Sequence, residues 1–153
     1  MTTVQFSVEV DASPERVWEV ASDPGNLPQW DRHIIRVRLP EGGVGPGVRY
    51  EVDMGFMAIH TTVQAEVLEW EKPWRTKIAL HGLLEAVVTT SIASLPHDRS
   101  MLRHEVEYRF KGPLGGFGAT SLNMLGGAHL ALKRGVLAQK RQIEEMVRRN
   151  RES

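Results

Sequence analysis

Seven separate stretches of this chain alternate apolar and polar residues, and one longer stretch near its C-terminal end does not. In Thr3–Asp11, Val4, Phe6, Val8 and Val10 share one face while Gln5, Ser7 and Glu9 share the other. A period of two is the signature of a half-buried β-strand. The same pattern recurs in His33–Leu39 (Ile35, Val37, Leu39) and, most clearly, in Val48–Phe56, where Val48, Tyr50, Val52, Met54 and Phe56 alternate with Arg49, Glu51, Asp53 and Gly55. Ile59–Trp70, Arg75–Gly82, Leu84–Leu95 and Met101–Lys111 complete the set. Short turns, Glu71-Lys72-Pro73 and Pro96-His97-Asp98-Arg99 among them, predict antiparallel neighbours.

Between the first two strands the pattern changes. Ser13 is a good helix N-cap and Pro14 suits the first helical position, so a helix is expected from Pro14 to Ser22. Asp23-Pro24-Gly25-Asn26 ends it, and a short second helix follows over Leu27–Trp30. From Gly118 to Asn150 the period becomes 3.6, with Leu122, Leu125, His129, Leu132, Val136, Ile143 and Val147 in one stripe. A continuous helix there would be roughly 45 Å long. Its middle, MLGGAHLALKRG (Met124–Gly135), carries Gly126, Gly127 and Gly135, each of which weakens a helix by roughly 1 kcal/mol relative to alanine. The expected architecture is α+β: a curved seven-stranded antiparallel sheet, two short helices after the first strand, and one long C-terminal helix across the sheet, in a single domain spanning 1–153.

Charge and composition narrow the function. Lys plus Arg number 19 and Asp plus Glu number 19, so nothing in the net charge favours nucleic acid or anionic lipid. The chain has no cysteine, which excludes disulfides, thiolate chemistry and cysteine-based zinc sites. The N-terminal MTTVQFSVEV lacks a signal-peptide hydrophobic region, and no apolar run reaches membrane-spanning length, so a cytoplasmic location is expected. The oligomeric state is not legible.

Three segments, VEVDASPERVWEVASDPGNLPQW (Val8–Trp30), AEVLEWEKPWR (Ala65–Arg75) and GPLGGFG with the terminal helix behind it, resemble the START-like, helix-grip superfamily. That superfamily includes pollen-allergen proteins and polyketide cyclases, and the resemblance covers nearly the whole chain. It implies a deep, mostly apolar pocket between the sheet and the C-terminal helix, holding a lipid, sterol or polyketide. It does not choose among carriage, sequestration and catalysis, because one fold hosts many functions.

The period of two puts His104 on the face shared by Leu102, Val106, Tyr108 and Phe110. The helical stripe puts His129 among leucines. In the resembling fold both approach one cavity. As imidazoles titrating near ~6.5 they are candidate acid/base residues for a cyclase; each can equally be a hydrogen-bonded core residue. The expected ligand-binding set is Trp30, Tyr50, Val52, Met54, Phe56, His104, Tyr108, Leu122, Leu125, Gly126, His129 and Leu132. Gly126 is the glycine that would leave room between helix and sheet. Trp30 is placed either at the pocket mouth or as a packing anchor, and Trp18, Trp70 and Trp74 are read as structural.

Sharper motifs fail. Gly116–Ser121 mimics a dinucleotide fingerprint but lacks its third glycine and the following strand. No GxSxG, Walker or HExxH pattern is present, so no metal or cofactor is expected. Three readings stand: a carrier or sequestering protein for a hydrophobic, polyketide-like or aromatic small molecule; a polyketide cyclase or aromatase; and a protein-interaction or stress-response protein.

Overall fold

The computed structural model describes residues 2–56, 58–111 and 127–152. Within them lie seven strands: β1 (Thr2–Val10), β2 (Ile34–Arg38), β3 (Arg49–Phe56), β4 (Ile59–Glu71), β5 (Arg75–His81), β6 (Leu84–Leu95) and β7 (Arg99–Phe110). The α-helices are α1 (Pro14–Ala21), α2 (Leu27–Trp30) and α3 (Gly127–Glu152), with a single 3-10 turn, Pro24–Asn26, between the first two. Every strand pair is antiparallel, in the order β1-β7-β6-β5-β4-β3-β2. The fold is the expected open seven-stranded sheet with a long C-terminal helix. The part of the predicted helix before Gly127 lies outside the described residues.

The order puts β1 and β2 at opposite edges, although they are neighbours in sequence. The chain crosses between them through α1 and α2, which therefore span one end of the curled sheet. Ser13 caps α1 by accepting from the Arg16 backbone N–H at 3.4 Å, and Asp23 starts the next turn by accepting from Gly25 N–H at 2.9 Å. Trp30, at the end of α2, donates from Nε1 to Gln142 Oε1 at 2.9 Å and so ties α2 to α3. Gly135 has a related reason to be glycine: a Cβ there would stand 3.2 Å from the Trp30 carbonyl oxygen. The helix needs that glycine to approach the backbone of α2.

Two β-bulges adjust which side chains face inward. In β2 the register shifts between Ile34 and Arg36, so Ile34 and Val37 face in while Ile35 and Arg36 both face out. The expected inward row of Ile35, Val37 and Leu39 is therefore corrected: Ile35 is exposed, because one extra residue reverses the phase of everything before it, and Leu39 is exposed because it lies past the end of β2. In β4 the register shifts between Val67 and Glu69, which leaves Leu68 and Glu69 both off the inner face and brings Trp70 back to it. There Trp70 meets Trp18 edge-to-face, with ring centroids 4.9 Å apart. Trp74, read as structural, is instead exposed at a turn.

The buried side chains form two groups. One surrounds the helices: Val10, Val17, Trp18, Trp30, Ile92, Leu102, Val136 and Ile143. The other lines the far end of the cup: Tyr50, Val52, Met54, Val63, Ala65, Val67, Leu84, Ala86 and Tyr108. Trp70 packs against both. Gly135→Leu should destabilise the fold by about 1–3 kcal/mol through overpacking against α2, read as a lower urea midpoint. An unchanged midpoint would mean that α3 can shift away from Trp30 without loss.

Candidate functional site

The space between the two buried groups is a cavity of about 260 Å³. Its sheet wall is built in rows, because residues directly opposite one another in neighbouring strands point to the same face. The deepest row reads Phe6–His104–Thr90–Thr76–Trp70 across β1, β7, β6, β5 and β4, and its middle three residues line the cavity. Two residues further along β1, β7, β6 and β5, roughly 7 Å, and three along the bulged β4, comes a wholly aliphatic row of Val4, Val106, Val88, Ile78 and Val67. A further step brings Tyr108, Ala86, Leu80, Ala65 and Tyr50 into line across β7, β6, β5, β4 and β3. The two tyrosines thus stand on opposite sides of the cup, with small or aliphatic residues between them.

From above, α3 presents Ala128, Ala131, Leu132, Gly135, Val136 and Gln139 to the cavity. Two alanines and a glycine in that arc keep the helix from filling the space below it. At the outer end the lining includes Asp31 and His33, whose partly exposed side chains put that end at the surface.

The floor is polar and buried, and its histidine is bonded on both sides. His104 Nε2 is 2.8 Å from Gln139 Oε1, and His104 Nδ1 is 2.8 Å from Thr90 Oγ1. With the amide oxygen facing the ring, Nε2–H donates to Gln139 and Nδ1 accepts from the Thr90 hydroxyl. The imidazole is thereby neutral with both nitrogens engaged. Burial pushes its pKa below the ordinary histidine value, outweighing the opposing pull of the Gln139 hydrogen bond. Burial also pushes the Tyr50 phenol up to about 12, and raises Tyr108, so both remain protonated donors. At the mouth the balance is opposite. His33 Nδ1 lies 2.9 Å from Asp31 Oδ1, and that hydrogen bond raises the His33 pKa against partial desolvation.

Of the residues expected at the site, Trp30, Tyr50, Val52, Met54, His104, Tyr108 and Leu132 line this cavity. Trp30 is a packing anchor as well, being buried and bonded to Gln142. Leu122, Leu125 and Gly126 lie outside the described residues, as does the Phe56 side chain. His129 is the correction. It is exposed, edge-on to Phe6 with ring centroids 6.3 Å apart, and does not line the cavity. The cavity-facing arc of α3 is centred about 90° round the helix from it, at 100° per residue. The apolar stripe serves two surfaces, the cavity and β1, and His129 lies toward β1, an edge strand that the helix overhangs.

Thr76, Thr90 and Gln139 were not anticipated. Each is in phase with inward-facing neighbours: Thr90 with Val88 and Ile92, Thr76 with Ile78, and Gln139 between Val136 and Ile143 at helical spacing. Reading apolar residues alone passes over polar ones that occupy the same face.

A curved antiparallel sheet closed over a hollow by a C-terminal helix is the helix-grip arrangement. The chain belongs to the family described as polyketide cyclase / dehydrase and lipid transport, whose model matches residues 1–144. No curated protein matches it significantly. Solved structures share the fold at low identity. A protein from Thermus thermophilus superposes with a TM-score of 0.73 at 16% identity, over 93% of this chain and 97% of that one. A START superfamily protein from Mycobacterium smegmatis gives 0.69 at 21%, over 94% and 98%. Ara h 8.0201 gives 0.60 at 15%, over 93% and 97%. Among the described residues, no helix is long and apolar enough to cross a membrane.

The two histidines act on stability with opposite signs. His104, depressed in the fold, contributes stability that is complete above the unfolded-state value near ~6.5 and is lost as pH falls toward its folded pKa. His33, raised in the fold, contributes stability that is complete below ~6.5 and is lost as pH rises through its folded pKa. Urea midpoints measured from about pH 7.5 down to pH 5 should therefore fall more steeply for the native chain than for His104→Gln. Parallel curves would show that His104 charges as easily in the fold as outside it.

Proposed function

We propose that the chain encloses a hydrophobic, polyketide-like or aromatic small molecule in this cavity, as a single ligand-binding domain that carries or sequesters it in a biosynthetic pathway. The observation that carries this reading is the hollow itself. About 260 Å³ of space separates two well-packed clusters and is walled mostly by apolar side chains. That is slightly below the usual span of small-molecule sites, ~300–1,000 Å³, and suits a compact ring system better than a whole phospholipid. Burying about 200 Å² of apolar ligand surface supplies roughly 5 kcal/mol before the costs of association. Trp30, Tyr50, Val52, Met54, Tyr108 and Leu132 form the walls in this reading.

Carriage fits the floor better than acid/base turnover. A general base needs an available lone pair near the reacting proton. In His104, Nδ1 accepts from Thr90 and Nε2 carries a proton bonded to Gln139. The exposed His129 stands off the cavity. In this reading His104 positions its neighbours, and neither histidine turns over substrate.

Calorimetric titration with aromatic polyketides should give saturable binding. Ala86→Phe fills the hollow from the sheet side and should weaken binding at least ~10-fold with an unchanged far-UV circular dichroism spectrum. Incubation with a poly-β-ketone should leave the spontaneous product ratio unaltered. Redirected cyclisation that His104→Ala abolishes would instead establish the cyclase, and no binding by any hydrophobic compound would remove the cavity's role.

A further inference from the structure

We infer that the cavity selects an uncharged ligand carrying a carbonyl oxygen at its buried end, and that the Gln139 carboxamide is the group that receives that oxygen. The inference rests on the reading of the cavity as a ligand site and adds the chemistry of the guest.

Gln139 is only 5% exposed and lines the cavity. Its Oε1 is taken by His104, and its Nε2 has no partner among the described residues. Yet no fully buried side-chain nitrogen or oxygen there lacks a partner. The Nε2 hydrogens therefore meet open space, which for so enclosed a residue is the cavity. The chain of donors has one direction: Thr90 hydroxyl to His104 Nδ1, His104 Nε2–H to Gln139 Oε1, and Gln139 N–H into the hollow. Because His104 holds the amide oxygen, the amide cannot turn to present an acceptor without breaking that bond. The end of the relay is a donor seeking an acceptor.

The Thr76 hydroxyl lies beside Thr90 in the same row, and the Tyr50 phenol faces the hollow from across the cup. Both are neutral groups able to donate. No lysine or arginine lines the cavity among the described residues; its charged lining consists of Asp23 and Asp31, with His33 beside Asp31 at the mouth. A carboxylate carried to the floor would lose its hydration without gaining a cation. A ketone, ester or quinone oxygen loses far less and finds its hydrogen bond waiting.

Naphthalene, methyl naphthyl ketone and naphthoate share one ring system and separate the terms. Titrated by calorimetry at about pH 8, the ketone should bind the native chain about tenfold more tightly than naphthalene, as one well-placed hydrogen bond allows. Naphthoate should bind at least ~10-fold more weakly than the ketone. Gln139→Leu should lower the ketone to the affinity of naphthalene and leave naphthalene itself within about twofold. If that variant fails to fold, Gln139→Met keeps the side-chain length and leaves a weak acceptor, the thioether sulfur, for His104 Nε2–H; it removes the amide hydrogens and should erase the same advantage. Equal binding of ketone and naphthoate, or a ketone preference that survives loss of the amide, overturns the inference. Naphthalene bound without any ketone preference overturns it while leaving the cavity reading intact. Failure of all three compounds to bind overturns both.

Discussion

The hydrogen bond from His104 to Gln139 joins the middle of β7 to the middle of α3 at the point where solid interior gives way to hollow. Below it, Leu102, Ile92 and Ile143 belong to the buried cluster that packs helix against sheet. Above it, aliphatic rows of the sheet face Ala128, Ala131 and Gly135 across open volume. A buried polar pair of this kind is costly when half-satisfied and specific when complete. Here Thr90 occupies the other ring nitrogen, so the ring has one orientation and the helix one rotational setting over the sheet. The position of every other cavity-lining residue of α3 follows from that setting.

Leaving a hollow in so small a protein is expensive. At about 24 cal/mol per Å³, an empty apolar void of this size would cost on the order of 6 kcal/mol, an upper bound for a cavity whose mouth reaches the surface. That is comparable with the entire stability of an ordinary domain, ~5–15 kcal/mol. The compensation is visible at the closed end. Long paired strands β6 and β7 carry Ile92 and Leu102 into a cluster with Trp18, and the β4 bulge delivers Trp70 to the same place. Outward-facing side chains add cross-strand ion pairs, such as Arg75 with Glu69 at 2.9 Å, each worth little on its own. Filling the hollow with two or three larger side chains would be an easy route to a more stable protein, and the alanines and Gly135 facing it run against that route.

Much of this was legible before any coordinates. A period of two over seven segments, a capped proline at the start of α1 and a 3.6-residue stripe at the end suffice for the elements and their order. The inward placement of His104, Tyr50 and Tyr108 follows from the same alternation. Local irregularity and dual use were hidden. Nothing in HIIRVRL marks the extra residue that sends Ile35 outward, because a bulge is decided by pairing with β3 and not by the strand's own residues. His129 misled because one helical stripe covers two different surfaces. Gln139 and Thr90 were in plain sight, in phase with their buried neighbours, and were missed only because polarity was taken to mean exposure.

The division between fold and floor bears on how function is assigned here. Structures at 16% and 21% identity share the cupped sheet and its helix. The architecture therefore needs only patterned hydrophobicity, which many sequences supply. A hollow lined by aliphatic side chains attracts nearly any compact apolar molecule and discriminates poorly, since one methylene more or less changes affinity only modestly. Discrimination has to come from the few polar atoms, because an unmatched buried donor costs more than a matched one gains. In this chain those atoms are neutral and sit at the closed end, while the carboxylates and the protonatable His33 stand at the mouth. On the proposed reading, a guest passes charged groups where water still screens them and ends where the polar groups are neutral. Such an order would sort ligands by charge before it sorted them by shape.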